Sequence, residues 1–230
     1  MNGILKKLLT WLVLPVIIVA LVYAIVNSIM QPVNFNKQKD FREEIAIQRL
    51  KDIRTLQVAF KGVNNRFAST VDSLKDFYNN GQMSVIMQVG SQDDSVAVMH
   101  TEAVKKANKK ITAQELYQMY LSGDKNLVFA VENKIPVKDT LFNGREDFNI
   151  DSLSFIPFCG KPVIMESIVK MVSGVPVPLF EAKMPYRDLL KGLDNQLRIN
   201  LDAERRDQNK YEGLQVGSIS APNNNAGNWE

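Results

Sequence analysis

The chain opens on an unbroken apolar run and then changes period. Leu8 to Met30, "LLTWLVLPVIIVALVYAIVNSIM", contains no charged residue, and about 20 apolar residues in a helix suffice to cross the hydrocarbon core of a bilayer. Pro15 lies within it, which bilayer helices tolerate as a kink, and Trp11 and Tyr23 sit nearer its ends. Gln31-Pro32 predicts a break, because proline removes an amide and disfavours helix in the residue before it. A second pattern starts near Lys37. Ala46, Leu50, Ile53, Leu56, Phe60, Val63 and Phe67 recur every three or four residues, the spacing of one apolar stripe on a helix. From Lys37 to Asn64 such a helix is about 40 Å long, and Gly62 with "NNRF" marks its end. The far part of the stripe is expected to pack on the chain's own sheet. Phe41 and Ile45 lie closer to the apolar run than a small sheet reaches, and they are expected to face a partner subunit.

Beyond Phe67 the pattern is mixed. Thr70 to Asn79 predicts a short helix capped by Ser69 or Thr70 and stopped by Gly81, and "MSVIMQV" predicts a strand. Thr112-Ala113-Gln114-Glu115 is a capping box that opens a helix through Leu121. "NLVFAVEN" and "IPVKDTLF" predict strands. "SFIPF", "VIMESIVKMV" and "VPVPLFEAK" predict an antiparallel meander turning at Ser173-Gly174, its last strand placed at an edge by Pro176 and Pro178. A short helix "YRDLLKGL" and strands "LRINL" and "GLQVGS" complete the series. The predicted class is α+β: an N-terminal transmembrane helix, then a long amphipathic helix packed on an antiparallel sheet. The expected organisation is a cytoplasmic tail (1–7), an anchor (8–30), a break or linker (31–36), an extracytoplasmic domain (37–220) and a mobile polar tail (221–230).

Composition removes several kinds of chemistry. The 230 residues carry a net charge of +3, room for one medium domain and its accessories. The densest basic run, "KKANKK" at Lys105 to Lys110, lacks an aromatic platform and reads as a solvated turn, so no nucleic-acid partner is expected. One cysteine, Cys159, and one histidine, His100, cannot build a structural zinc site within the chain. A Cys-His nucleophile pair is formally open, but "FIPFCGKP" reads as a strand end entering a turn, with a structural thiol. No glycine-rich phosphate loop occurs, and the adjacent carboxylates Glu43-Glu44 and Asp93-Asp94 read as exposed. No catalytic residue, metal or cofactor is expected.

Orientation follows from Lys6 and Lys7 before the span. Lys37, Lys39 and Arg42 after the span nearly balance them, and the very short N-terminal tail decides the expectation: the N-terminus in the cytoplasm and the domain in the periplasm, on an inner-membrane anchor. A cleavable signal peptide would have "MNGILKK" as its basic region and Val26-Asn27-Ser28 as its cleavage site. The apolar run, however, exceeds the usual core of about 7–15 residues, so an uncleaved anchor is expected. Asp-Ser/Thr-aliphatic recurs at Ser73, Ser95, Thr140 and Ser152. It resembles a three-residue O-glycosylation signal of bacterial periplasmic and surface proteins, although Asp and Ser also favour helix caps and turns.

"RLKDIRTLQVAFKGVNNRFASTVDSLKDF" resembles the first helix and following turn of type IV pilins and of the pseudopilins of type II secretion. The matching positions are Asp52, Ile53, Arg54, Leu56, Gln57, Ala59, Asn65, Arg66, Phe67 and Leu74, within roughly residues 8–80. The resemblance implies a pilin-like head on a long helix and a non-enzymatic role in an envelope assembly, with the membrane and other protein subunits as partners. The prepilin peptidase motif is absent: Gly3 is followed by Ile4, and Leu8 stands where these families place a glutamate. Two other readings fit the same pattern. One is a membrane-platform component with a coiled coil and a ferredoxin-like domain. The other is a periplasmic ligand-binding or enzymatic domain resting on His100, Cys159 and the carboxylates.

Overall fold

The structure is a computed structural model that describes Gly3 and residues 9–230. The expected tail 1–7, apart from Gly3, and the first residue of the expected span, Leu8, lie outside the described residues. A π-helical turn, Leu9–Val13, leads into α1, Leu14–Asn64. At 51 residues this helix is about 76 Å long. The break expected at 31–36 is absent, because α1 runs straight through Pro32. Proline costs a helix interior about 3 kcal/mol, and ties on both sides hold the helix regardless. Gln31 Nε2 donates to Asp194 Oδ2 at 2.6 Å, Phe35 is buried, and Arg42 Nη1 donates to the carbonyls of Leu189 and Lys191 at 3.0 and 2.9 Å. Before Pro32 the large apolar side chains stand exposed, among them Trp11, Ile18, Tyr23 and Ile29. Among the described residues this is the one helix long and apolar enough to cross a membrane.

The chain forms two compact units. The first contains the residues up to Arg54, Asp151–Glu166 and Leu179–Glu230. Ala46, Leu50 and Ile53 of α1 are completely buried, as are Met184, Leu189 and Val216. After Pro185 come two helices, α6 at Tyr186–Leu189 and α7 at Asn195–Asp207. The "LRINL" expected as a strand lies inside α7. Asp194 caps that helix by accepting from the Leu197 N–H at 2.9 Å, and Arg198 pairs with Asp202 one turn on, so a cap and an i,i+4 pair override five residues of alternation. The final strand, β5 (Gly213–Gly217), pairs antiparallel with β4 (Val175–Pro185) from Gly217 opposite Glu181 to Gly213 opposite Pro185. The tail expected to be mobile is folded back. Gly227 bridges to Val216, the Asn228 amide donates to Gln215 O at 2.9 Å, and Asn228 Nδ2 donates to Gly213 O at 2.9 Å. Its asparagines supply turn bonds and cross-strand bonds that a polar composition alone does not reveal.

The second unit comprises Thr55–Ile150 and Ser167–Pro178. Leu56, Gln57 and Ala59 continue the buried side of α1, whereas Phe60 is half-buried and Val63 exposed. Helix α2, Val71–Asn80, has Thr70 as its cap. Gly81 stops it through close approach: its φ is −77°, and a Cβ there would lie 2.3 Å from the Phe77 carbonyl oxygen. Strands β1 (Gln82–Val89) and β2 (Phe129–Pro136) pair antiparallel from Gln82 opposite Pro136 to Val89 opposite Phe129. Between them lie α3, Ser95–Ala107, which the sequence pattern did not announce, and α4, Ala113–Leu121, with the expected capping box at Thr112 and Glu115. "IPVKDTLF" is a strand only through Pro136, for Val137–Thr140 forms the one-turn helix α5. One apolar cluster joins Val89, Leu116, Leu127, Phe129 and Val131. Another joins Ala59, Phe77 and Val137 with Phe60 packed against it.

The described residues thus form two small sheets, β1-β2 and β3-β4-β5, with β3 spanning Ile164–Val172. "SFIPF" contributes only the single bridge Phe155–Pro162. The β3-β4 turn has Ser173 and Gly174 at φ 50° and 82°, the left-handed pair that a two-residue hairpin needs. β4 is the middle strand rather than an edge. Pro176 and Pro178 precede the stretch that β5 pairs, which explains how their missing amides are tolerated.

Candidate interaction site

The part of α1 just beyond the exposed apolar segment carries the expected contact residues. Phe41 is 54% exposed and Ile45 half-buried. With Ile47, Glu44, Gln48 and Lys51 they line a shallow groove of about 660 Å³. Phe41 is not bare on every side: its ring meets Phe158 at 6.1 Å between centroids, and the Arg42 guanidinium lies 4.7 Å from the Phe158 ring. A loop side chain, not a sheet, covers the inner half of Phe41.

The polar residues around the groove are tied down. Lys39 pairs with Asp40 at 2.8 Å and Glu43 at 3.4 Å. Burial pulls its pKa down, but these two carboxylates outweigh burial and the pKa is raised. The Glu43 carboxylate also acts on the buried Tyr186 hydroxyl, whose pKa is pushed up first by burial and then by that carboxylate. Glu43 is therefore not the exposed member of an adjacent pair that its sequence suggested, whereas Glu44 is exposed. Glu43 Oε1 is buried with no hydrogen-bond partner among the described residues. These bonds fix the rotation of α1, so that Phe41 and Ile45 present one defined edge.

The residues that carry the pilin resemblance have structural work within this chain. Asp52 is buried and accepts from Gln48 at 2.9 Å. Arg54 Nη1 reaches Glu230 at 2.7 Å. Gln57 is fully buried and clamps Ala68 twice: Nε2 donates to its carbonyl at 2.8 Å, and its amide donates to Oε1 at 2.9 Å. Asn65 takes φ 54° to turn the chain, Phe67 is buried under Lys61 at 5.1 Å, and Leu74 is fully buried.

The remaining candidates are scattered. His100 Nε2 lies 2.8 Å from Asp124 Oδ2, a hydrogen bond that holds the Asp124 carboxyl below its ordinary value. Cys159 is half-buried in a turn and belongs to the other unit. No group of three potential metal ligands occurs among the described residues. Of the four Asp-Ser/Thr-aliphatic positions, Ser95 and Thr140 are exposed, while Ser73 and Ser152 are half-buried. Asp94 caps α3 through the Val96 and Ala97 amides at 3.1 Å, but α2 is capped by Thr70 rather than Asp72, so capping accounts for only part of the recurrence. A second concavity of about 670 Å³ includes Arg187, Arg198, Arg206, Asp202, Tyr211 and Glu212. Arg206 pairs with Glu212 at 2.7 Å and Arg198 with Asp202. Burial raises Asp202 and pushes the Tyr211 hydroxyl up to about 12. The "LRINL" expected as a strand concealed this concavity, since a strand would set Arg198, Asp202 and Arg206 about 13 Å apart in succession, whereas the helix stacks them about one turn apart on one face.

Comparison with protein-family models, with curated proteins and with solved structures finds no match to this chain.

Proposed function

We propose that the chain is a non-enzymatic, single-pass membrane subunit with a pilin-like division of labour, serving an envelope-spanning secretion or pilus-like assembly. One observation carries this reading. A single helix joins an apolar segment with no part of its most apolar stretch buried to a stretch whose Ala46, Leu50, Ile53 and Leu56 are completely buried. Water does not tolerate so long a run of exposed Leu, Ile and Val, so a bilayer or neighbouring helices must cover it. The unbroken passage through residues 26–28 also supports an uncleaved anchor, because signal cleavage there would cut inside a helix. The domain is read as periplasmic, on an inner-membrane anchor. Ser95 and Thr140 are the more accessible of the four candidate glycan acceptors.

Phe41 and Ile45 are proposed to contact another subunit of the assembly. Changing both to Ser in the full-length protein should shift its melting temperature little, because Phe41 is already half exposed, yet weaken crosslinking to its membrane partners. An unfolded double variant would assign both residues to the core. Unchanged crosslinking would make this part of α1 a spacer. Intact-mass measurement of the membrane-extracted protein tests the anchor, and a mature N-terminus near residue 29 would refute it.

A further inference from the structure

Strand β1 has one bonded edge and one open edge. Among the described residues its only strand neighbour is β2, and no hydrogen bond reaches it from any other element. The Gly81 carbonyl accepts from the Val137 amide at 3.0 Å, so these two form a hydrogen-bonded pair just before the register begins with Gln82 opposite Pro136. Alternation then turns the backbone groups of Met83, Val85 and Met87 toward β2, and those of Gln82, Ser84, Ile86 and Gln88 toward the open edge. The side chains of these last four are exposed, Ile86 at 73%. The two edges of this sheet are built differently. β2 carries Glu132, Lys134 and Pro136, all exposed, at its outward positions, and charges and proline are what keep an edge from pairing. β1 carries no charge and no proline over its eight residues. A two-stranded sheet alone is marginal in water, and an uncharged edge of this length is a template for another strand.

We infer that the open edge of β1 pairs antiparallel with β1 of a second copy of this chain, about a two-fold axis at Val85. The sequence of the strand decides both the occupant and the register. Gln82-Met83-Ser84-Val85-Ile86-Met87-Gln88 reads nearly the same in both directions. Antiparallel pairing about Val85 therefore sets Gln82 opposite the partner's Gln88, Met83 opposite the partner's Met87, and Val85 opposite the partner's Val85. Amide faces amide and apolar faces apolar at all of these positions, which a strand of unrelated sequence would match only by accident. The outward backbone groups of Gln82, Ser84, Ile86 and Gln88 all enter the new ladder. Val85 and the methionines then form the non-hydrogen-bonded pairs, in which facing side chains are closest. Moving the axis to Ile86 breaks the match, for it sets Gln82 opposite Gly90 and Ser84 opposite Gln88. The product is a four-stranded sheet with both copies of β1 at its centre and the charged β2 edges outermost. An isologous contact of this kind closes as a dimer. The inference goes beyond the proposed function and does not depend on it, since it uses neither the anchor nor the groove at Phe41.

The test uses the full chain in mild detergent micelles with Cys159→Ser, which removes the only native thiol. Val85→Cys should form an intermolecular disulfide readily on mild oxidation, because the pair at the axis has the short spacing a disulfide needs. Gln88→Cys should not, because its counterpart in the other copy lies six residues along, about 20 Å away. Met83→Cys and Met87→Cys should each crosslink poorly alone, their own counterparts being about 13 Å off, yet form a mixed disulfide when the two proteins are combined. That pattern cannot arise from chance encounters in a micelle or from a parallel pairing. Ile86→Lys should weaken the dimer about tenfold, since it places a charge at both symmetric edge positions. It should leave the melting temperature of the monomer unchanged, because Ile86 is exposed. No crosslinking at position 85, equal crosslinking at 85 and 88, no mixed disulfide between positions 83 and 87, or undiminished dimerisation of Ile86→Lys would overturn the inference.

Discussion

The buried amide of Gln57 is the most exacting position in the helix-to-turn junction. Its two bonds to Ala68 run in opposite senses, at 2.8 and 2.9 Å, and both residues are buried. Gln57→Leu keeps the volume roughly constant but strands the Ala68 amide and carbonyl. Each unsatisfied buried group costs about 1–3 kcal/mol. Burying the more apolar leucine returns about 1–2 kcal/mol, so the net loss centres near about 2.5 kcal/mol, a large share of an ordinary domain's 5–15 kcal/mol. Gln57→Glu separates the two bonds. Its carboxylate still accepts from the amide but faces the Ala68 carbonyl, which favours the protonated acid. Such a glutamate has a raised folded pKa, so the variant should be weakest at neutral pH and recover as pH falls and the acid becomes able to donate. Denaturant unfolding of the full-length protein in detergent, followed by circular dichroism, measures both variants. Val58→Ala, at an exposed neighbour, should stay within about 0.5 kcal/mol of the parent. If Gln57→Leu matches that control, the clamp contributes nothing and the reasoning fails.

Two further outcomes follow from the packing. Phe60 is half-buried and meets Phe77 edge-on at 5.2 Å, so Phe60→Ala should cost about 1.5–3 kcal/mol, below the 3–5 kcal/mol of a fully buried phenylalanine; a thermal melt showing the full cost would mean the ring is more enclosed than its exposure indicates. The Glu230 carboxyl is held below the ordinary value of 4.5, chiefly by Arg54 and then by the Gly227 amide. A depressed carboxylate contributes above its unfolded pKa and loses that contribution as pH falls through the folded value. Trp229 emission, recorded in Trp11→Phe so that it is the only indole, should therefore shift to the red as pH falls below the ordinary glutamate range, while Glu230→Gln should already be shifted at neutral pH; an emission that ignores pH in the parent would refute tail docking through this pair.

Periodic features were legible because one local force dominates each. The stripe Ala46, Leu50, Ile53, Leu56 is buried as its spacing required, and Thr70 and Thr112 cap where their side chains predicted. The failures share another cause, a local rule overruled by distant partners. Pro32 signals a break that the Gln31–Asp194 bond and buried Phe35 prevent. The tail resembles a disordered end until Asn228 finds Gln215 and Gly213. Phe41 lies where its spacing predicts no cover from a small sheet, and the ring that meets it is the loop residue Phe158, across a sequence separation that no pattern within α1 encodes.

The same distinction bounds what the pilin resemblance can carry. Its residues are the ones that hold this helix and its turn: Arg54 ties the tail, Gln57 clamps Ala68, Asn65 reverses the chain, and Phe67 and Leu74 fill the interior. A long helix that must turn back and cover itself needs a buried polar clamp, a left-handed residue and apolar plugs at about these spacings. Such a motif is therefore evidence of fold geometry, and fold geometry does not by itself assign a task. The residues that could distinguish tasks lie outside the motif, on the open edges at Phe41 and along β1. Interaction experiments at those edges therefore carry more information about function than further substitutions within the resembling segment.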